Sequence, residues 1–219
     1  MTRRREVFEQ SRKPAAVTDA VERLVARVGV RYAGCTVRNF IPADDDQKRS
    51  VERLVAYMHG LAENITKGVS LIFYGPCGVG KDHLMSAAMF HAARCGHEVH
   101  WENGLDWFGR VRDDLSRTEK HIEALVRPAI LAISDPVPPA TKSGKADGDL
   151  TSWRIELLQR VVDARYRQLR PVWMTINATG VDGLRALLSA PLADRLLHGA
   201  TGVKLVGKST RERGTTQAS

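Results

Sequence analysis

The sequence predicts an α/β fold, with a parallel sheet sandwiched by helices. Three observations carry that prediction. Short, continuously apolar runs alternate with segments whose apolar residues recur at helical spacing. One such run leads into a glycine-rich turn, Gly75-Pro76-Cys77-Gly78-Val79-Gly80, and then into a helix. In a chain of 219 residues, 43% hydrophobic content supplies enough apolar surface for a core on both sides of a sheet. Runs that are apolar throughout belong to strands buried on both faces.

The elements follow in order. Residues 1–29 read as a basic N-terminal extension, helical in part. Arg3, Arg4, Arg5, Arg12, Lys13, Arg23 and Arg27 outweigh Glu6, Glu9, Asp19 and Glu22 there. After Pro14, the residues Val21, Leu24, Val25 and Val28 define one helical face. Gln47 to Leu61 repeats the spacing with Val51, Leu54, Val55 and Met58, behind the acidic cluster Asp44-Asp45-Asp46 that suits a helix N-terminus. Ser70 to Tyr74 is a buried strand, and Lys81 to Arg94 a helix stopped by Gly96. A strand at His97–Trp101 and a helix at Leu105–Leu115 come next, then a strongly apolar strand at Ala129–Ser134. Pro136 to Gly148 is rich in Pro, Gly, Lys and Asp and reads as a loop.

Leu150 to Leu169 is a long helix with Leu157, Leu158, Val161 and Val162 on its apolar face. Its arginines, Arg154, Arg160, Arg165 and Arg167, with Arg170 just beyond, read as a solvated basic face. A strand at Pro171–Asn177, helices at Val181–Leu188 and Ala193–Leu197, and a last strand at Gly202–Val206 complete the pattern. Residues 214–219 are expected to be a disordered tail.

Composition narrows the functional classes. The net charge of +8 and a pI near 9.7 are compatible with a polyanionic partner, nucleic acid first among them. No run approaches the ~18 apolar residues that a membrane span needs. No apolar stretch follows the charged start Met1-Thr2-Arg3-Arg4-Arg5, so no secretory signal is expected. Three scattered cysteines, Cys35, Cys77 and Cys95, suggest neither a disulfide framework nor a metal cluster, which favours a cytoplasmic setting.

The sharpest motif is Gly75-Pro76-Cys77-Gly78-Val79-Gly80-Lys81, which fits the phosphate-loop pattern G-x-x-x-x-G-K between a strand and a helix. Glycines let successive N–H groups point into one concavity, and the following helix adds its positive end. Lys81 supplies a point charge for the β- and γ-phosphates of ATP. The pattern ordinarily closes with a Ser or Thr that ligates Mg²⁺; here Asp82 stands at that position. A carboxylate is a good Mg²⁺ ligand but repels phosphate unless the metal lies between them.

A second acidic motif is expected at the end of another strand, with one acid for Mg²⁺ and one to polarise the attacking water. Ile130-Leu131-Ala132-Ile133 leads into Ser134-Asp135-Pro136, which has a single carboxylate. Two registers fit. In one, Asp135 serves the metal and Pro136 replaces the catalytic acid. In the other, Asp135 is the catalytic acid and Ser134 takes the metal position. The second leaves four apolar residues directly before the motif and is preferred. It implies an exchange of ligands, with the carboxylate at Asp82 and the hydroxyl at Ser134.

These residues carry a resemblance to the AAA+ helicase-loader group, that of DnaC, DnaI and the transposition helper IstB. Gly78-Val79-Gly80-Lys81-Asp82-His83-Leu84 resembles the group's G-x-G-K-x-H-L loop, bringing His83 into the nucleotide site. Val162-Asp163-Ala164-Arg165-Tyr166 and Pro171–Asn177 are similar to its sensor 1 helix and strand. Pro191-Leu192-Ala193-Asp194-Arg195-Leu196 resembles its arginine-finger segment, and Ser209-Thr210-Arg211 its closing sensor 2 motif.

The resemblance implies a P-loop AAA+ core over residues 30–213 with a reduced C-terminal lid. It implies Asn177 as sensor 1, Arg195 as a finger reaching a neighbouring subunit's nucleotide, and Arg211 contacting nucleotide in its own subunit. The Asn39-Phe40 region would cover the base. The implied partners are single-stranded DNA, a replicative helicase or transposase, and further copies of the chain in a homo-oligomer with ATP and DNA. The implied activity is ATP hydrolysis. Alternatives are an ATP-gated scaffold with little turnover, favoured by Asp82 and Ser134, and a small P-loop kinase.

Two further constellations point less clearly to chemistry. His97-Glu98-Val99-His100 has the wrong spacing for a metal motif. Trp101, Trp107 and Phe108 near Arg110 and Arg112 could meet DNA, but aromatics at helical spacing are more often core.

Overall fold

The computed structural model describes residues 14–137 and 148–207. Arg3, Arg4 and Arg5, Arg211, the tail 214–219 and most of the Pro136–Gly148 loop lie outside the described residues. Nine helices and five strands are assigned among those described. In chain order they are α1 (Pro14–Val28), α2 (Asp45–His59), α3 (Leu61–Thr66), β1 (Leu71–Tyr74), α4 (Lys81–Arg94), β2 (Val99–Asn103) and α5 (Gly104–Asp113). Then come α6 (Thr118–Val126), β3 (Ile130–Ser134), α7 (Gly148–Arg167), β4 (Val172–Ile176), α8 (Val181–Leu187), α9 (Ala190–Leu197) and β5 (Thr201–Lys204).

The strands form one sheet in the order β2-β3-β4-β1-β5, and every neighbouring pair is parallel. Alternation along the apolar strands divides their side chains between two cores. Ile72, Ile133 and Met174 face α5 to α9. Phe73, Ala132 and Trp173 face α1 to α4. Trp173 and Phe73 are wholly buried, each contributing about 1.5–3 kcal/mol of transfer free energy. The Trp173 indole N–H donates to the Tyr57 hydroxyl at 3.1 Å, and that hydroxyl donates to Val69 O at 2.7 Å, pinning α2 to the sheet.

Leu24 of α1 is buried in the same core as α4, so the packed body begins within the basic N-terminal segment. The order of strands puts β4 between β3 and β1. The ends of these three strands therefore lie side by side, with Ser134 beside Thr175 and Tyr74 beside Ile176.

Several elements differ from the sequence reading. β2 begins at Val99 rather than His97. The reason is the end of α4: Gly96 adopts φ 83°, its N–H donates to Ala93 O, and the His97 N–H donates to Ala92 O. Those bonds satisfy the last carbonyls of the helix and leave His97 in the cap. Helices α3 and α6 were not expected. Each is short and buries little, α3 only Leu61 and α6 only Ile122 and Leu125. Trp107 and Phe108 are core residues, 2% and 1% exposed.

The largest correction is Arg165, which is not on a solvated face but wholly buried. Its guanidinium donates to the carbonyls of Leu125, Val126, Pro128, Ala129 and Pro171 at 2.7–3.1 Å. Helical spacing explains the burial, because Arg165 lies four residues after the buried Val161. Among the described residues no carboxylate pairs with it; backbone oxygens leading into β3 and β4 take that place.

Candidate functional site

β1 leaves the sheet at Gly75, where a Cβ would lie 1.8 Å from the Leu205 carbonyl oxygen, so only glycine passes. Gly80 then precedes α4 at φ 97°, and a Cβ there would lie 2.6 Å from the Phe40 ring. This loop delivers Lys81 and Asp82 to the first turn of α4, at the ends of β3 and β4. Lys81 is 5% exposed. Its ammonium donates to Pro76 O at 2.7 Å, Gly75 O at 3.0 Å and Asn177 Oδ1 at 2.7 Å.

Asp82, Ser134, Asp135 and Asn177 come together across the ends of three elements. Ser134 Oγ donates to Asp82 Oδ1 at 2.8 Å. Asn177 Nδ2 donates to Asp135 Oδ1 at 3.1 Å, while its Oδ1 receives Lys81 and, at 3.3 Å, the Cys77 thiol. Burial and the negative charge of Asp82 push the Asp135 carboxyl above its ordinary value, against the pull of Lys81, Asn177 and Thr175. Asp135 also holds a left-handed backbone, φ 43°.

The gathered oxygens are two carboxylates and hydroxyls. Among the described residues no group of three or more His, Cys, Asp or Glu is placed to hold a metal. That donor set suits Mg²⁺, which takes one or two carboxylates and completes its shell with phosphate oxygens and water.

Beside the loop lies a cleft of about 410 Å³, within the range of small-molecule sites. Arg31, Tyr32, Asn39, Phe40 and Ile41 line it from one segment, and Gly78 and Gly80 to His83 from the other. Asn39 shapes the first segment: its Nδ2 donates to Gly34 O at 2.8 Å and its Oδ1 accepts the Thr36 N–H at 2.9 Å. The amide orientation is therefore set, and His83 Nε2–H donates to Thr36 O at 2.9 Å and Asn39 Oδ1 at 3.0 Å. The His83 and Phe40 rings meet edge to face at 5.6 Å. Val79 is buried beneath the loop.

Arg195 is not part of this assembly. It lies on α9 near Lys67 and Ser70, at the opposite end of β1 from Gly75. Its Nε pairs with Asp163 Oδ1 at 2.8 Å and its Nη1 donates to Pro191 O at 3.1 Å. Arg211 lies outside the described residues.

One residue escaped the sequence reading. Thr175 is wholly buried between Ser134 and Asp135, with its hydroxyl 3.3 Å from Asp82 Oδ1. Its signal was a lone hydroxyl in the apolar run Val172-Trp173-Met174-Thr175-Ile176, two residues before Asn177.

Comparison with known proteins gives the family and the fold. The chain is 28% identical over 174 residues to the ATP-binding protein ascribed to insertion sequence IS5376 of Geobacillus stearothermophilus, a match covering 77% of this chain and 63% of that relative. It is 24% identical over 185 residues to the replicative helicase loader DnaC of Buchnera aphidicola, covering 82% and 70%. Among solved structures, the DnaC helicase loader superposes with a TM-score of 0.68 at 18% identity, over 81% of this chain and 99% of that one. The replication initiator DnaA bound to AMPPCP and single-stranded DNA superposes with a TM-score of 0.61 at 17% identity, over 84% and 53%. At these identities the two structures speak for the fold, an AAA+ sheet flanked by helices. Residues 36–218 match the family described as IstB-like ATP binding protein, and the chain, with its phosphate loop and acidic strand end, belongs to that ATP-binding AAA+ family.

Proposed function

We propose that the chain binds and hydrolyses ATP with Mg²⁺ and acts on DNA as an oligomer, in the manner of a helicase loader or transposition helper. The observation that carries the reading is the convergence of Lys81, Asp82, Asp135 and Asn177 at one end of the sheet. In this reading the base lies in the cleft against Phe40, and the phosphates lie along the loop. Lys81 exchanges a carbonyl and the Asn177 amide for phosphate oxygens. Asp82 and Ser134 would hold Mg²⁺, which offsets phosphate charge when bound. Asp135 accepts a proton from water, and Asn177 orients that carboxylate. Arg195 would serve a neighbouring subunit, exchanging Asp163 for phosphate.

The experiment is calorimetry with Mg²⁺-ATP together with turnover, each with and without single-stranded DNA. The reading expects Mg²⁺-dependent binding and turnover raised by DNA. A second reading, an ATP-gated scaffold, draws support from the carboxylate at Asp82 and the hydroxyl at Ser134. It expects the same binding and nucleotide-dependent assembly, with little or no turnover whether or not DNA is present. A small-molecule kinase would instead release a phosphorylated acceptor.

Positive charge, +8 overall, supports DNA as the partner. The names of the relatives point to a helicase or a transposase as the protein partner. Among the described residues no helix is long and apolar enough to cross a membrane; the scattered cysteines are what favour a cytoplasmic setting.

A further inference from the structure

Thr175 has a position that the roles above do not use. It lies on β4 directly across from Ser134 of β3. A hydroxyl has one proton and two lone pairs. One lone pair accepts the Asp135 backbone N–H at 3.0 Å. Its proton has three oxygens in reach: Asp82 Oδ1 at 3.3 Å, Ser134 Oγ at 3.4 Å and Asp135 Oδ1 at 3.4 Å. Asp82 Oδ1 already has a shorter donor in Ser134, at 2.8 Å. Asp135 Oδ1 likewise has a shorter donor in Asn177, at 3.1 Å, so the close bond between Thr175 and Asp135 is the one to the backbone N–H.

Asp135 needs that support. Its φ of 43° lies in a region that non-glycine residues hold only when their surroundings impose it. On its far side Pro136 is wedged against β2–α5: a Cβ on Gly104 would lie 2.3 Å from Pro136 Cα. That wall stops the turn from relaxing outward, and Thr175 holds it from within.

We propose that Thr175 is a positioning residue for Asp135. Its hydroxyl accepts the Asp135 backbone N–H, and so sets the left-handed turn that points this carboxylate at the nucleotide site. The proposal rests on Asp135 as the group that acts on water.

The test compares Thr175→Val, which removes the hydroxyl and keeps the shape, with Thr175→Ser, which keeps the hydroxyl and loses the methyl. Should the valine variant fail to fold, Thr175→Ala replaces it, since Ala and Ser differ only by the hydroxyl. The first readout is kcat and KM for Mg²⁺-ATP. A displaced catalytic group costs up to ~100-fold, so Thr175→Val should lower kcat at least about tenfold with KM within about threefold, and Thr175→Ser should restore most of the rate. The second readout is amide hydrogen exchange at Asp135 in the nucleotide-free protein. Loss of one hydrogen bond should speed that exchange about fivefold in Thr175→Val and leave it near wild type in Thr175→Ser.

Equal impairment of the serine and valine variants would show that Thr175 only packs, and overturn the proposal. Wild-type kcat and exchange in Thr175→Val would overturn it as well. If the wild-type protein does not turn over ATP, the hydrolysis reading fails by itself, and Asp135 exchange alone decides the role of Thr175.

Discussion

Replacing Arg165 by methionine should destabilise the protein without touching the nucleotide site. The guanidinium satisfies five carbonyl oxygens, and those of Leu125, Pro128 and Pro171 are fully buried. Methionine keeps the bulk of the side chain but donates nothing. A buried acceptor left without a donor costs about 1–3 kcal/mol. Pro171 O keeps the Leu131 N–H at 3.5 Å, so the Leu125 and Pro128 oxygens amount to about 2–6 kcal/mol. Relief of the desolvation of a buried charge offsets part of this. A net loss of about 1–3 kcal/mol follows, and at ~2–4 °C per kcal/mol for a chain of this size Tm should fall by about 2–12 °C.

Urea and thermal unfolding measure the loss directly. Arg165→Lys should recover less than half of it, because an ammonium cannot span carbonyls from both the β3 and β4 approaches. ATP affinity measured well below the new Tm should be unchanged, since Ala129 and Pro171 precede their strands and the phosphate loop lies past the other end. A loss under about 1 kcal/mol would refute the claim that these carbonyls depend on Arg165.

Other consequences are also testable. Lys81→Ala should weaken ATP binding about 30- to 100-fold, the worth of a charge-assisted contact, with the fold retained; unaltered affinity in calorimetry would remove Lys81 from the phosphate site. Asp82→Thr and Ser134→Asp should be coupled, because the two side chains bond at 2.8 Å. The double variant should bind Mg²⁺-ATP better than the singles predict by at least about 1 kcal/mol, and simple additivity would sink the ligand exchange. Burial tends to raise the Glu102 carboxyl, but hydrogen bonds and charge from His100 and Arg110 outweigh it and hold it below the usual range. A lowered folded-state value means stability that is present above the unfolded value of ~4.3 and is lost as pH falls through the folded one. The destabilisation caused by Arg110→Ala should therefore shrink as pH drops from 7 to 3, and a constant difference would contradict the ion pair. Single-stranded DNA binding should fall steeply with salt and show little sequence preference, and a flat salt response would argue against phosphate contacts.

Much of the fold was legible in local pattern. β1, β3 and β4 are continuous apolar runs, α4 starts at Lys81 as its motif requires, and the phosphate loop follows from glycine spacing alone. The candidate carboxylates and Asn177 were legible too, because Asp82 follows the lysine of the phosphate loop while Asp135 and Asn177 each close a recognisable strand. What local pattern could not supply was anything set by contact between distant segments. The strand order β2-β3-β4-β1-β5 brings Thr175 between Ser134 and Asp135, residues some forty positions away. The same packing turns Arg165 from a helix charge into a buried clamp, and folds Asn39 and Phe40 over the loop to form the cleft. His97 was lost from β2 because capping α4 satisfied its N–H first. Periodicity records which face of an element is apolar. It does not record which element that face meets, and a polar side chain is placed by the partners it finds only after the faces have met.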